Sequence, residues 1–173
     1  MCGRCETPKR TENERRMAEA SETKSLNRIV LMDLNVALSS NFGEMRNHGF
    51  QDFVNNHECY RKWMVELLRP EFVILITARN IKWAIPTLKR IESETGWQPD
   101  VALFNNTKHD GQNAPAIKEH QMLNHVFKNY GDDQSIYHAI DSNMNTRAMY
   151  RKLGLKSVHD CARGKSRWFR LPF

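Results

Sequence analysis

Four polar residues are of types that suit phosphate chemistry, and three of them stand where apolar stretches of the chain end. Asp33 follows the run IVLM, Thr77 closes FVILIT, and Asp141 follows YHAI. Lys118 lies between the last two, in a segment that opens near Pro115. A carboxylate can attack phosphorus and form an acyl phosphate that water then hydrolyses. An ammonium group and a hydroxyl can hold the oxygens of the transferring phosphoryl group.

Alternating strand-type and helix-type patterns predict the elements that position these residues. The predicted strands are Ile29–Asp33, Phe72–Thr77, Val101–Phe104, Ile136–Ile140 and Lys156–His159. The predicted helices are Phe50–Leu68, Ile81–Thr95 (closed by Gly96), Ala114–Lys128 and Asn143–Leu153, with a polar loop at 39–49. This alternation predicts an α/β fold: a Rossmann-like parallel sheet with helices on both faces. The carboxyl ends of parallel strands meet at one edge, where ligands bind.

The expected organisation is one domain with polar ends. Residues 1–26 are predicted to be a flexible polar extension, 27–160 the α/β domain, and 161–173 a basic C-terminal segment. No apolar run approaches the length that spans a bilayer, and the N-terminus lacks the apolar core of a secretory signal. The sequence therefore predicts a cytoplasmic location and no membrane partner.

The net charge of +6 is concentrated at the C-terminal end. Residues 147–173 hold eight lysines and arginines against a single acid, Asp160. A basic surface of this kind favours phosphate-rich partners such as nucleotides or nucleic acid. A solvated basic tail explains it equally well. Trp168 and Phe169 could stack on bases or anchor the chain end to the core.

The metal-ligating residue types show weaker patterns. Cys2 and Cys5 form a C-x-x-C, which supplies two of the four ligands of a structural zinc, and no second pair follows at zinc-finger spacing. The seven histidines are dispersed without a metal-ligand spacing. Asp33 and Asp141, by contrast, are expected at one edge of the sheet, where two carboxylates repel each other unless a cation lies between them. Mg²⁺ is the expected cation because it takes hard oxygen ligands.

The order of these motifs resembles that of the haloacid dehalogenase (HAD) superfamily of phosphohydrolases, over about Asn27 to Asp160. VLMDLNVA stands in place of the first motif, VILITAR in place of the second, and YHAIDSNMNTRAMYRKLGL in place of the fourth. The third motif is a lysine, for which Lys118 in APAIKEHQML is the best candidate and Lys108 an alternative.

The resemblance implies a role for each matched residue. Asp33 would be the nucleophile and a Mg²⁺ ligand, with Asp141 and the main-chain carbonyl of Asn35 as further ligands. Thr77 and Lys118 would bind the phosphoryl group. Position alone, apart from the resemblance, adds the residues that follow Thr77. The backbone amide of Ala78 could help to bind phosphate, and Arg79 and Asn80 could touch substrate, although a helix N-terminus would also explain Asn80.

Two positions depart from the family pattern. Most phosphatases of the family carry an Asp where this chain has Asn35, and that Asp acts as general acid and base. An amide cannot exchange a proton near neutral pH, and such catalysis is typically worth about 10²–10⁴-fold in rate. Ser142 stands where a second acid is common. Thr77 follows Asp33 by only 44 positions, which leaves room for a helix or two but hardly for a large cap domain. Family members without a large cap have open sites and tend to act on bulky substrates, so the resemblance implies the same here.

Three functions are consistent with these residues. The first is a Mg²⁺-dependent phosphohydrolase that acts through an aspartyl-phosphate on a nucleotide or nucleic-acid phosphate. The second is a catalytically impaired binding or regulatory protein that keeps the fold and the metal and phosphate pocket. The third is dehalogenase-like chemistry at carbon, to which the basic charge lends no support.

Overall fold

A five-stranded parallel sheet organises the protein. The computed structural model describes residues 24–106, 112–161 and 171–173. The strands are β1 (Ile29–Met32), β2 (Phe72–Asn80), β3 (Val101–Asn105), β4 (Tyr137–Ile140) and β5 (Ser157–His159). The α-helices among these residues are α1 (Met45–His48), α2 (Phe50–Asp52), α3 (Lys62–Leu68), α4 (Ala84–Thr95), α5 (Ala114–Gln121), α6 (Phe127–Tyr130) and α7 (Met144–Lys152). All strand pairs are parallel, in the order β3-β2-β1-β4-β5. The predicted α/β class with a Rossmann-like sheet is confirmed.

The central strand, β1, is buried along its whole length. It pairs with β2 on one side and β4 on the other, so Ile29 lies opposite both Phe72 and Tyr137. Because both faces of a parallel sheet are covered, such a strand is continuously apolar rather than alternating. The order of strands reverses at β1, and in sheets of this type the crevice outside that switch point is where ligands bind.

Alternate residues of the strands supply two apolar clusters, one on each face of the sheet. On one face, sheet residues pack with side chains of α3 and α4; the members include Val30, Met32, Val73, Leu75, Ile140, Met64, Val65, Leu68 and Ile91. On the other face, the packing side chains come from the segment after α5 and from α7; the members include Ile29, Leu31, Ile74, Tyr137, Ala139, Met122, Val126, Met149 and Tyr150. Helices thus cover both faces, as the sequence predicted.

The segment between β1 and β2 differs from its prediction. The expected single helix Phe50–Leu68 is wrong: the helical conformation breaks at Glu58, whose backbone is extended, and resumes at α3. The break arises because the Glu58 side chain is fully buried and Tyr60 forms an antiparallel bridge with Ser39. Residues 39–49 are not all loop either, since a 3₁₀ turn at Phe42–Glu44 leads into α1.

Two other boundaries also move. β2 runs three residues past Thr77, to Asn80, with an irregular register against β3 between Ile76 and Asn80. The predicted helix Ala114–Lys128 consists of α5, a wider π-helical turn at Met122–Val126, and then α6. The closure of α4 at Gly96 is confirmed, where φ is +61°, a left-handed conformation that favours glycine.

Parts of both chain ends pack against this domain. Lys24 donates from Nζ to Asp100 Oδ2 at 2.9 Å, and the Phe173 ring stacks on His138 with 4.0 Å between centroids. Cys161 is fully buried and Leu171 nearly so. The remainder of the predicted N-terminal extension and most of the basic C-terminal segment lie outside the described residues. Among the described helices, none has the length and apolar character needed to cross a membrane.

Candidate active site

Asp33 and Asp141 lie side by side at the carboxyl ends of β1 and β4. The strand register pairs Met32 with Ile140, so the residue after each strand stands next to its counterpart. The Asp33 backbone N–H donates to the Ile140 carbonyl at 2.9 Å, which continues the ladder to this level. Both carboxylates are almost closed to solvent, with exposures of 5% for Asp33 and 1% for Asp141. The sheet brings these two predicted site residues together at its switch point.

Lys118 joins the two carboxylates. Its Nζ lies 2.6 Å from Asp33 Oδ1 and 2.6 Å from Asp141 Oδ2, so the two oxygens are no more than twice that distance apart. The lysine comes from α5, which begins after Asn113, whose side chain accepts from the Ala116 N–H, and carries Pro115 in its first turn. Three residues further along α5, Gln121 Nε2 donates to the Thr77 carbonyl at 3.1 Å. This contact anchors the helix face that carries Lys118 to the end of β2.

The charges of the triad formed by Asp33, Asp141 and Lys118 do not cancel, since two carboxylates face one ammonium group. Burial raises the pKa of Asp33 to about 6; Lys118 opposes that rise and the neighbouring Asp141 adds to it. Burial would lower the pKa of Lys118, but the two carboxylates outweigh it and raise the pKa above its ordinary value. Lys118 is therefore charged, and the triad can take up one further positive charge.

The oxygens around Ser142 suit a hard cation. Its hydroxyl lies 3.3 Å from Asp33 Oδ2 and 3.2 Å from the Asn35 main-chain carbonyl oxygen. A hydroxyl has a single hydrogen and can donate to only one of these acceptors at a time. Two oxygens that the resemblance implies as ligands thus converge on one point. A carboxylate and a carbonyl oxygen form the type of donor set that Mg²⁺ takes, and the residues present fit that ion.

Thr77 lies next to the triad but is fully buried within β2. Its Oγ1 accepts from the Arg79 backbone N–H at 3.1 Å, and its carbonyl accepts from Gln121. Ala78 is half-buried and lines the adjoining pocket. The structure therefore places Thr77 near Asp33 in the sheet, while its hydroxyl has a partner of its own.

Arg79 forms a buried polar network in which Glu58, Thr87 and Tyr60 were not found by sequence reasoning. Its guanidinium donates to both carboxylate oxygens of Glu58, at 2.7 and 2.8 Å, and to Thr87 Oγ1 at 2.8 Å. Its Nη2 also donates to Asn35 Oδ1 at 2.9 Å. Tyr60 donates to Glu58 at 3.1 Å. This network fixes the side chain of Asn35, the residue that departs from the family pattern.

A shallow pocket of about 380 Å³ opens beside this network. It is lined by Asn35, Phe50, Ala78, Arg79, Asn80, Lys82 and Trp83. Phe50 and Trp83 lie 5.0 Å apart between ring centroids and form an aromatic rim. A larger groove of about 540 Å³ runs along β3 and involves none of the predicted site residues. The smaller pocket, which three of those residues line, is the one relevant to the site.

The three newly found residues Gln121, Arg147 and Glu58 differ in whether the sequence could have revealed them. Gln121 could have been found, because it follows Lys118 by three positions and shares its helix face. Arg147, which donates from Nη1 to the Asp141 and Ser142 carbonyls at 2.8 Å, sits in the motif around Asp141. Glu58 carried no signal, since it lay within a segment predicted as one amphipathic helix. Lys108, Cys2 and Cys5 lie outside the described residues.

Comparisons with known proteins do not assign this chain to a family. A scan against protein-family models, a search of curated proteins and a search of solved structures each found no match.

Proposed function

We propose that this protein is a Mg²⁺-dependent phosphohydrolase of the HAD type, with a HAD-like α/β domain and no large cap. The observation that supports it most is the contact of one buried lysine with two carboxylates, Asp33 and Asp141, at the switch point of the sheet. These residues come from three elements distant in sequence and match three of the four motifs of the resemblance. An ordinary turn-capping role for Asp33 would not require a buried lysine shared with a second strand end.

In the proposed reaction, Asp33 is the nucleophile. A carboxylate oxygen attacks phosphorus, and the bond from phosphorus to the leaving oxygen breaks with its electron pair on that oxygen. The leaving oxygen takes its proton from solvent, because Asn35 cannot donate one near neutral pH. Water then attacks the aspartyl-phosphate, the bond from phosphorus to Asp33 breaks, and phosphate and a proton are released. Lys118 holds the Asp33 carboxylate and the phosphoryl oxygens together by charge.

The proposed Mg²⁺ would be held by the Asp33 carboxylate, the Asn35 carbonyl and the Asp141 carboxylate. When bound, it would neutralise phosphate charge as a Lewis acid. Ser142, whose hydroxyl lies within 3.3 Å of two of these oxygens, would orient one of them by donating its single hydrogen.

We assign the substrate to the nucleotide or nucleic-acid phosphates. The pocket beside Asn35 combines two aromatic rings, Phe50 and Trp83, with Lys82, whose Nζ lies 5.6 Å from the Trp83 ring centroid. Aromatic faces with a neighbouring cation suit a stacked base and its phosphate. The basic residues at 147–173 favour the same class of partner.

A second candidate is a protein with this fold that binds phosphate and turns over poorly or not at all. The observation that favours it is the hydrogen bond from Arg79 Nη2 to Asn35 Oδ1, at 2.9 Å. This contact fixes the Asn35 amide at the position where most phosphatases of the family have their general acid. The buried ion pair with Glu58 in turn fixes Arg79.

A Mg²⁺-dependent phosphatase assay on three proteins separates the two candidates. The panel is the wild type, Asp33→Asn and Asn35→Asp, assayed on aryl and acyl phosphates and on nucleotides. The phosphohydrolase predicts turnover by the wild type that Asp33→Asn abolishes, which would exclude the binding protein. Activity in Asn35→Asp with the wild type at background would exclude the phosphohydrolase.

A further inference from the structure

Three metal-ligating side chains meet on the short helical segment between β1 and β2, away from the triad. His57 Nε2 lies 3.1 Å from Asp52 Oδ2, and His48 Nδ1 lies 3.8 Å from the same oxygen. The two imidazole rings stack with 3.8 Å between centroids and 16° between planes. The three ligand atoms all lie within 4.8 Å of one another. The dispersed histidines did not reveal this cluster, because the three residues belong to three separate helical turns.

This set of donors has a definite metal preference. Imidazole nitrogen suits zinc and neighbouring transition metals, whereas Mg²⁺ takes oxygen ligands. Tetrahedral bonds of about 2.0–2.2 Å place the ligand atoms about 3.3–3.6 Å from one another. The separations of Asp52 Oδ2 from the two histidine nitrogens, 3.1 and 3.8 Å, lie close to that range. The stacked imidazole rings would have to turn so that both nitrogen lone pairs point at one ion. His48 is exposed and His57 is half-buried, so the rings have room to turn and solvent can supply the remaining ligand.

The carboxylate of the cluster is oriented from outside it. Asn56 Nδ2 donates to Asp52 Oδ1 at 2.7 Å, which leaves Oδ2 directed toward the two histidines. A polar side chain that holds the second atom of a ligating group in this way is a common feature of metal sites. A simple ion pair with Asp52 needs only one histidine, whereas here two histidines approach the same carboxylate oxygen.

Metal binding here would affect the wall of the pocket. His48 is in α1, Asp52 in α2 and His57 in the π-helical turn at Phe53–His57, and Gly49 separates the first two. Helical turns this short are unstable alone, so a shared ion would fix their relative positions. Phe50 lies between two of the ligands in sequence and forms the aromatic rim with Trp83.

We propose that His48, Asp52 and His57 form a binding site for a divalent transition-metal ion of the zinc class. The site is separate from the proposed Mg²⁺ site and does not depend on it. Its role is to fix the helical segment that carries Phe50 against the substrate pocket.

The test is a titration of the full-length, metal-free protein with Co²⁺, which reports its ligand geometry by visible absorption, followed by competition with Zn²⁺. We expect saturable binding with nitrogen-ligand bands, displaced by Zn²⁺ and not by Mg²⁺. Asp52→Asn and the double variant His48→Asn/His57→Asn should lose this binding. Asn56→Ala should bind about 10–100-fold more weakly. Circular dichroism checks that each variant is folded.

Three matched controls decide where the metal binds. His125→Asn removes an exposed histidine elsewhere and should leave the titration unchanged. Cys2→Ser/Cys5→Ser removes the other candidate ligands, and Asp33→Asn removes a ligand of the proposed Mg²⁺ site, to which Co²⁺ can also bind through oxygen. Both variants should leave the nitrogen-ligand bands unchanged. The proposal fails if the wild type shows no saturable binding, or if the histidine variants keep it while the cysteine or Asp33 variant loses it. Because Asp33→Asn is in both panels, failure of this site and failure of the phosphohydrolase are distinguishable.

Discussion

Glu58 and Arg79 form a two-point ion pair that solvent does not reach. The two N–O distances are 2.7 and 2.8 Å, and the side chains are 0% and 1% exposed. Planar contact of this kind is the strongest form of a charge-assisted hydrogen bond. Glu58 lies at the break after the π-helical turn and Arg79 lies near the end of β2, so the pair connects these two elements. Arg79 also donates to Asn35, which links the pair to the segment that follows Asp33.

Removing one partner of this pair should strongly destabilise the protein. Glu58→Gln leaves the Arg79 charge buried without a carboxylate, which typically costs about 3–5 kcal/mol in the free energy of unfolding. Glu66→Gln is the matched control, because Glu66 pairs with Arg69 on the surface and such pairs contribute about 0–1 kcal/mol. Urea denaturation measures both. Equal losses in the two variants would contradict the role given to the buried pair.

Lys118→Met should destabilise the metal-free protein by a similar amount. The substitution leaves the Asp33 and Asp141 carboxylates adjacent and unpaired in a buried site, at a cost of about 3–5 kcal/mol. Mg²⁺ should then raise the melting temperature of Lys118→Met more than that of the wild type, because the triad has lost its only cation. Lys89→Met, an exposed change on α4, serves as control. A melting temperature insensitive to Mg²⁺ in both proteins would argue against a cation site here.

Asn35→Asp should raise kcat more for alkyl phosphates than for aryl phosphates. Alkoxide leaving groups need a proton most, and general acid catalysis is worth about 10²–10⁴-fold. The gain should lie toward the lower end of this range, because Arg79 donates to the side chain at position 35 and would favour its ionised form. The measurement is the ratio of kcat values for the two substrate types in each protein. An unchanged ratio would mean that position 35 does not protonate the leaving group.

Val36→Gly should give a more stable protein than Val36→Ala. Val36 has φ +65° and ψ −32°, a conformation that is strained for a β-branched residue and open to glycine. Such strain costs about 1–3 kcal/mol, and both alanine and valine retain it. In an unstrained helix or strand the order is reversed, with glycine less stable than alanine by about 0.5–1 kcal/mol. Chemical denaturation of the pair measures the difference.

Two buried groups should change stability in opposite directions as the pH drops below 6.5. Protonation of Asp33, whose pKa burial raises to about 6, stabilises the folded chain, whereas protonation of His138 destabilises it. Burial, followed by the nearby Arg28 and His159, lowers the pKa of His138 below the ordinary value of 6.5. For His138 the unfolded chain therefore binds a proton at higher pH than the folded chain, and its contribution to the free energy of unfolding decreases as the pH falls through this window. Its Nδ1 has no hydrogen-bond partner in the described part of the chain, so protonation would add a buried donor.

His138→Asn should remove the His138 contribution between about pH 7.5 and pH 5.5. The contributions of His159, whose pKa burial also lowers, and of Asp33 should remain. Unfolding curves of the two proteins across the range provide the comparison. An identical slope would assign the pH dependence to other groups.

The sequence predicted the sheet and the position of the triad for a clear physical reason. Continuous apolar runs identify buried parallel strands, and the residue after each run must lie at the common edge, so Asp33 and Asp141 could be placed together. Pro115 marks the start of the helix that carries Lys118, but the choice of Lys118 over Lys108 also used the order of motifs in the family that the sequence resembles. The inferences for the two carboxylates use local patterns only.

The partners of Arg79 could not be predicted in the same way. Glu58 lies in a stretch whose apolar spacing continues from Phe53 to Leu68, and periodicity does not show that one acidic residue turns inward. That inward turn depends on an arginine 21 positions later and ends the helix there. The cluster of His48, Asp52 and His57 was missed for a related reason, since it forms only when three short turns fold against each other.

The place of β1 in the middle of the sheet has a consequence for synthesis. The N–H of Asp33 bonds to the carbonyl of Ile140, and its carboxylate meets a lysine 85 positions later. A nascent chain on the ribosome therefore carries an incomplete site until α5 and β4 have emerged. A chain that stops before β4 has only one of the two carboxylates that Lys118 contacts.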